Sequence, residues 1–325
     1  MKNNNKIIVI SGPTASGKSA FAIELAKKLD GVIVNADSIQ IYEGLPILSA
    51  QPDDKDKKEA EHRLYNIIKP KESNCVFNWL QLAKKNVDEI LEKGQTPILV
   101  GGTGMYISRF INGIRPLPDT NMDNRNKINS LYEEIGWDKF YDMVKEVDEE
   151  SVLKIKKNDK HKLIKTYEVY EISGKKLSYF ESLPNELLYD RQNIFHINIM
   201  PKREDTYRFC EIRFKIMVEK LGVIEEVKNF LKNNEDVFNS NSSILHTIGL
   251  MEIKEYLEGK IDYDTMLELS IKDTRNYAKR QFTWFKNQFT DVNVRINTLI
   301  NSSTVADVLK NTLESYNLFI SPKTE

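Results

Sequence analysis

The chain of 325 residues reads as an α/β protein: a parallel-sheet core built around a phosphate-binding loop, with a mainly helical insertion and a helical C-terminal region. Three observations predict this. The run Gly12-Pro13-Thr14-Ala15-Ser16-Gly17-Lys18-Ser19 stands between an apolar strand-like stretch, Ile7-Ile8-Val9-Ile10, and an amphipathic helical stretch over 20–29. Strand, glycine-containing loop and helix start together aim several backbone N–H groups and a helix dipole at one anion. Further short apolar runs at 32–35, 98–100 and 194–200 alternate with helical segments, the pattern of a parallel sheet. The stretch 119–191, by contrast, is charged, helical and short of strand signals.

Taken in order, the loop offers Lys18 as a point charge for outer phosphates and the Ser19 hydroxyl as a Mg²⁺ ligand, so a polyphosphate or nucleotide such as ATP is the expected class of ligand. The second strand runs into Asp37. A helix is expected over 79–93, with Leu80, Ala83, Val87, Ile90 and Leu91 near helical spacing and Gly94 and Pro97 marking its exit. The strand at 98–100 is followed at once by Gly101-Gly102-Thr103-Gly104. Asp37 and Thr103 therefore belong at the carboxyl edge of the sheet, where open α/β folds bind ligands. Many phosphate-loop enzymes end a second strand in Asp to orient Mg²⁺; here a glycine-rich turn replaces it, permitting close backbone approach and offering one hydroxyl. From position alone Asp37 could be a metal ligand, a general base or a turn cap. The expected division is a core of 1–118 and 192–300, a helical insertion of 119–191 and a ragged tail of 301–325.

Composition narrows the class further. A hydrophobic share of 40% and a charged share of 29% are those of a soluble globular protein. No run approaches the roughly 18 apolar residues of a membrane span, and the polar start leads directly into the first strand, so the cytoplasm is the expected compartment. Cys75 and Cys210 are too few and too far apart for a disulfide framework or a metal cluster. A net charge of −1 argues against a bulk polyanion binder. Basic residues nevertheless crowd 154–165 and 272–286, which suits either a partner touched at selected places or a solvated helix face balanced by Glu146, Asp148, Glu149 and Glu150.

Four motifs in sequence, GPTASGKS, ADSIQIYEGLPI, PILVGGTGMYI and TRNYAKRQFTWF, resemble those of the bacterial tRNA dimethylallyltransferases (tRNA isopentenyltransferases), in that family's order and from Lys6 to about Trp284. The resemblance implies a P-loop NTPase-like core and transfer of a dimethylallyl group from dimethylallyl diphosphate. The acceptor would be the exocyclic amine of the adenosine next to the anticodon, in tRNAs reading codons that begin with U, with Mg²⁺ as cofactor and a monomer as the working form. It makes sense of the missing strand-end Asp, because the loop would stabilise a departing diphosphate rather than direct an attacking water. By resemblance, Asp37 is the general base, Thr103 touches the target nucleotide, and Lys18 and Arg213 act on the diphosphate, which Gly12, Pro13, Thr14, Ala15, Ser16, Gly17, Lys18 and Ser19 cradle. RNA contacts are implied at Asp37, Ser38, Ile39, Gln40, Thr103, Arg125, His161, Lys162, Leu163, Ile164 and Lys165.

Several positions depart from the family's pattern. Lys162 and Lys165 stand where Arg is typical, and lysine lacks the planar bidentate fork. Leu250 and Met251 replace an aromatic hydroxyl and a cation, Phe209 replaces an Arg, and a paired His becomes His62-Arg63. Trp79, Phe77 and Trp284 are expected as packing aromatics, while Arg280 and Gln281 remain open between packing and ligand contact. Three other functions compete: prenylation of a free adenine nucleotide, a small-molecule kinase, and a nucleotide-gated RNA-binding module. The basic helical insertion favours an RNA substrate over the first of these.

Overall fold

The computed structural model describes residues 6–118 and 122–321, and the chain divides into two units. Residues up to Ile111 together with those from Tyr189 onward form the larger, and Asn112–Leu188 form the smaller.

The chain opens with β1 (Ile7–Ser11), α1 (Lys18–Leu29) and β2 (Gly31–Asn35), then α2 (Asp54–Glu59), β3 (Glu61–Arg63), α3 (Val76–Glu92), β4 (Thr96–Gly101) and α4 (Gly104–Asn112). The smaller unit holds α5 (Met122–Val152), α6 (Lys160–Ser173) and α7 (Leu177–Ser182). The larger unit resumes with β5 (Ile194–Ile199), α8 (Arg203–Glu219), α9 (Val223–Asn233), α10 (Leu250–Leu257), α11 (Tyr263–Gln288), β6 (Val294–Ile296) and α12 (Val305–Ile320). No described helix is long and apolar enough to cross a membrane.

Every strand pairing is parallel, in the order β3-β2-β4-β1-β5-β6. Strands β1, β4 and β5 are buried along their whole length, which is why they read as continuous apolar runs rather than alternating ones. From β1 the chain moves to one side, to β2, whereas from β4 it passes to the other side, to β5. The loops after β1 and β4 therefore part at the carboxyl edge and leave a crevice there. Helix α1 lays Phe21, Ala22, Leu25 and Ala26 against the sheet, and α3 does so with Trp79, Leu80, Ala83, Val87 and Ile90.

Two edge strands escape a reading by pattern. Glu61-His62-Arg63 has no apolar residue, yet it pairs in register with Val32, Ile33 and Val34, and β6 is equally short. The expected ragged tail is also corrected. Residues 305–320 form α12, which buries Leu309, Thr312 and Tyr316 and sets the Tyr316 ring edge-on to Phe195 at 5.2 Å. The polar run Asn301-Ser302-Ser303-Thr304 is a turn that leads into α12, closed by Asn301 Oδ1, which accepts from the N–H groups of Ser303 and Thr304. Residues 322–325 of that tail lie outside the described residues.

In the smaller unit Gly136 (φ 75°) breaks α5, and the helices close over Ile128, Phe140, Val144, Val152, Leu163 and Ile164. Its limits fall at Asn112 and Leu188 rather than at 119 and 191, because Ile114 and Glu186 exchange both backbone hydrogen bonds where the chain enters and leaves. The expected starting point, Asp119, lies outside the described residues.

Candidate active site

The loop between β1 and α1 holds the residues expected to bind an anion. Gly12 and Pro13 are buried, while Thr14 to Ser19 line a cavity of about 1100 Å³. Gly17 holds φ at 87° and packs so closely that a Cβ there would fall 2.3 Å from the Ile300 carbonyl oxygen. The Lys18 ammonium donates to the Pro13 carbonyl at 2.6 Å. Burial brings its pKa down to about 8, against the negative charge of Asp37 and with the help of the positive charge of Arg213. The Ser16 hydroxyl is buried without a hydrogen-bond partner, and Ser19 is exposed on the first turn of α1.

Opposite stands the turn after β2. Asn35 shapes it: its Oδ1 accepts from Asp37 N at 2.8 Å, and its Nδ2 donates to Leu64 O at 2.9 Å. Asp37 spends Oδ1 on the backbone N–H groups of Ile39 (2.9 Å) and Gln40 (3.4 Å), so it is a turn cap. Its Oδ2 lies on the Gly102 side, where a Cβ on Gly102 would come 3.5 Å from it. One carboxylate therefore holds its own turn and still presents an oxygen to the crevice. Gln40 donates to the carbonyls of Ser49 and Ala50, both at 2.9 Å. Thr103 lies beyond the lining; its hydroxyl accepts from Ser38 N at 2.9 Å and donates to Ser38 Oγ at 3.2 Å. That brace joins the loop after β4 to the Asp37 turn.

Helices α8 and α11 complete the frame. Arg213 of α8 donates to Thr14 Oγ1 at 2.7 Å, which sets the guanidinium on the phosphate loop. Gln281 of α11 accepts from Thr14 N at 2.8 Å and donates to Gly102 O at 2.9 Å. Buried to all but 6% of its surface, Gln281 bridges the two loops, and neighbouring Arg280 lines the cavity. Trp284 covers Gly104, where a Cβ would meet its ring at 2.3 Å. Trp79 is buried, donates to Asn35 O at 2.9 Å and stacks on Tyr106. Phe77 is 45% exposed and is not a packing residue of the core.

A second wall of the cavity is apolar. Phe209, Ile212, Ile216 and Met217 of α8 line it, with Leu48 and Ile248. Ile212 and Ile216 are 39% and 38% exposed and sit one helical turn apart, a stripe that faces the cavity rather than the core. That repeat was the signal available in the sequence, and Phe209 belongs to the same wall. Tyr65 and Tyr277 also line the cavity; burial pushes both phenols up, and the charge of Asp37 adds to the shift.

The remaining expected positions lie in the smaller unit. Arg125 is partly exposed near the start of α5. On α6, His161 and Lys162 are exposed, with Lys162 3.4 Å from Asp159, while Lys165 stands 3.5 Å from the buried Glu168. Leu163 and Ile164 are 0% and 2% exposed within the unit's core, so their side chains pack and do not reach a partner. Of the other departures, Leu250 is buried and Met251 exposed.

Loop, sheet order and crevice define an α/β protein of the P-loop NTPase-like class, whose cavity joins the glycine-containing loop to an apolar wall. The IPP transferase family model matches residues 40–288, and the chain belongs to that family. A tRNA dimethylallyltransferase of Rickettsia canadensis (strain McKiel) is 38% identical over 288 residues, spanning 88% of this chain and 87% of the relative. The tRNA isopentenylpyrophosphate transferase from Bacillus halodurans superposes with a TM-score of 0.68 at 27% identity, covering 97% of this chain and 98% of that one. A eukaryotic dimethylallyltransferase acting on tRNA shares the fold, with a TM-score of 0.78 at 23% identity over 98% of this chain and 81% of its own.

Proposed function

We propose that the chain transfers a dimethylallyl group from dimethylallyl diphosphate to the exocyclic amine of the adenosine beside the anticodon of a tRNA. One observation carries the reading: a single cavity holds the phosphate loop with Lys18 and Arg213, the Asp37 carboxylate across from them, and an apolar wall between α8 and Leu48. In the step, the bond from the allylic carbon to the diphosphate oxygen breaks as the carbon–nitrogen bond forms, and the amine's surplus proton goes to Asp37. Negative charge grows on the departing diphosphate, where the loop N–H groups, Lys18 and Arg213 are already oriented and need little reorganisation. A base aimed at the nitrogen is worth about 10²–10⁴ in rate. The apolar wall suits a five-carbon chain, which on binding would displace water from the side chains of Ile212 and Ile216.

Mg²⁺ fits as an ion that arrives with the diphosphate. The described residues contain no cluster of three or more His, Cys, Asp or Glu able to hold a metal, and Ser19 offers one exposed hydroxyl. A cation bound mainly through substrate phosphates and water needs no more. When bound, it would add positive charge against the leaving group. The exposed His161 and Lys162, with Arg125 and Lys165, are the proposed phosphate contacts of the smaller unit.

The test combines purified protein, Mg²⁺, labelled dimethylallyl diphosphate and either unmodified tRNA or AMP. Label on the adenosine beside the anticodon is expected, with none on AMP. Label on AMP alone would move the substrate to free nucleotides, and label on neither would overturn the reading.

A further inference from the structure

Glu226, on the first turn of α9, is not among the residues that line the cavity, yet it governs a segment that does. Its two carboxylate oxygens accept from consecutive backbone groups, Ile47 N at 2.7 Å and Leu48 N at 2.8 Å. Those N–H groups open the helical turn that begins at Leu45, in which Ser49 N returns to Leu45 O at 3.0 Å and Gln51 N to Pro46 O at 2.9 Å. The donors at the start of such a turn have no partner within it. Glu226 supplies that partner from a different helix, with charge-assisted bonds. Burial raises the Glu226 carboxyl, and the two N–H groups oppose the rise. One turn further along α9, Phe230 packs on Gly44, where φ is 99° and a Cβ would come 2.8 Å from the ring. The same face of α9 therefore holds both ends of the 44–48 segment.

The segment leads back to the reacting groups. The turn continues through Ser49 and Ala50, whose carbonyls take both hydrogen bonds from the Gln40 amide, and Gln40 N donates to Asp37 Oδ1 at 3.4 Å. We infer that Glu226 is a positioning residue for the transfer reaction: it fixes the 45–50 turn, and through Gln40 the aim of Asp37. This rests on the function proposed above. Nothing in the chain of contacts passes through the phosphate loop, which is supported instead by Arg213, Gln281 and Ile300.

The experiment compares wild type with Glu226→Ala and Glu226→Gln in the full-length protein, measuring kcat, the KM for dimethylallyl diphosphate and the folded fraction by circular dichroism. A misaimed base at this scale costs about 10- to 100-fold in kcat, expected for Glu226→Ala with the KM for dimethylallyl diphosphate unchanged. Glu226→Gln keeps a carbonyl oxygen for one of the two N–H groups and should recover part of the rate. If wild type transfers the allyl group but both variants match its kcat, the inference is overturned. It is also overturned if kcat falls only in step with the folded fraction. A wild type with no transfer activity would instead remove the proposed function itself.

Discussion

On the proposed function Asp37 divides its labour between two oxygens, Oδ1 holding the turn and Oδ2 taking the proton, and the division can be measured. Asp37→Asn keeps an Oδ1 acceptor for the N–H groups of Ile39 and Gln40 but cannot take a proton. Its kcat should fall by about 10²–10⁴ with the melting temperature and tRNA binding unchanged. Asp37→Ala also loses the cap, at about 1 kcal/mol, and should melt lower as well. An Asparagine variant that still transfers at the native rate would remove Asp37 as the base. Lys18 gives a pH signature of a different kind. With its folded pKa near 8, below the ordinary 10.5, the ammonium is lost from the free enzyme as pH rises through 8. The KM for dimethylallyl diphosphate should then climb above pH 8. The stability sign is opposite: between about 8 and 10.5 the unfolded chain holds more protons, so this group makes folding more favourable as pH rises. Weaker substrate binding without alkaline melting would separate the two.

Elements meet at this site through side chains of helices remote in sequence. The phosphate loop and the loop after β4 each end a central strand, and neither contacts the other through a strand pairing. Gln281 of α11 joins them, its amide oxygen on Thr14 N and its amide nitrogen on Gly102 O. Gln281→Ala strands the buried Gly102 carbonyl, at about 1–3 kcal/mol, and frees the part-buried Thr14 N–H from its partner. Chemical denaturation should show the lower stability, and kcat should drop with it as the loop bearing Lys18 loses its register on the Asp37 side. Gln281→Glu keeps the acceptor for Thr14 N but sets a negative charge beside an anion cradle. Steady-state kinetics should show its KM for dimethylallyl diphosphate rising more than that of the alanine variant.

On the scale of the whole molecule, the C-terminal helix is part of the larger unit. Tyr316 is 1% exposed and packs its ring on Phe195 of β5 and on Phe319. Replacing so large a buried aromatic by alanine costs about 3–5 kcal/mol. Tyr316→Ala should lower the melting temperature measured by calorimetry while leaving kcat unaltered in the folded fraction. Removal of 301–325 should do more, because the segment just before it packs on the phosphate loop: Ile300 N donates to Ser16 O at 3.4 Å and the Ile300 carbonyl backs Gly17. A truncated protein that melts normally and binds diphosphate normally would return that helix to the status of an appendage.

Much of the fold was legible in the residues. Buried parallel strands must be apolar on both faces, so β1, β2, β4 and β5 announce themselves, and the GPTASGKS run reads as a phosphate loop because its flanks independently read as strand and helix. Local chemistry also placed Asp37 and Thr103 at one sheet edge, and the Thr103 hydroxyl does brace the Asp37 turn through Ser38. Short edge strands such as β3 bury too little to leave a pattern, and their existence depends on a neighbour's unpaired backbone. The reach of Glu226 to Ile47, the bridge made by Gln281, the inward turn of Leu163 and Ile164, and the cavity-facing stripe of Ile212 and Ile216 depend on which helices pack together. Such contacts join residues up to 267 positions apart, as in Thr14 and Gln281. No local period encodes them; they exist only once burial of the apolar faces has fixed the elements in place.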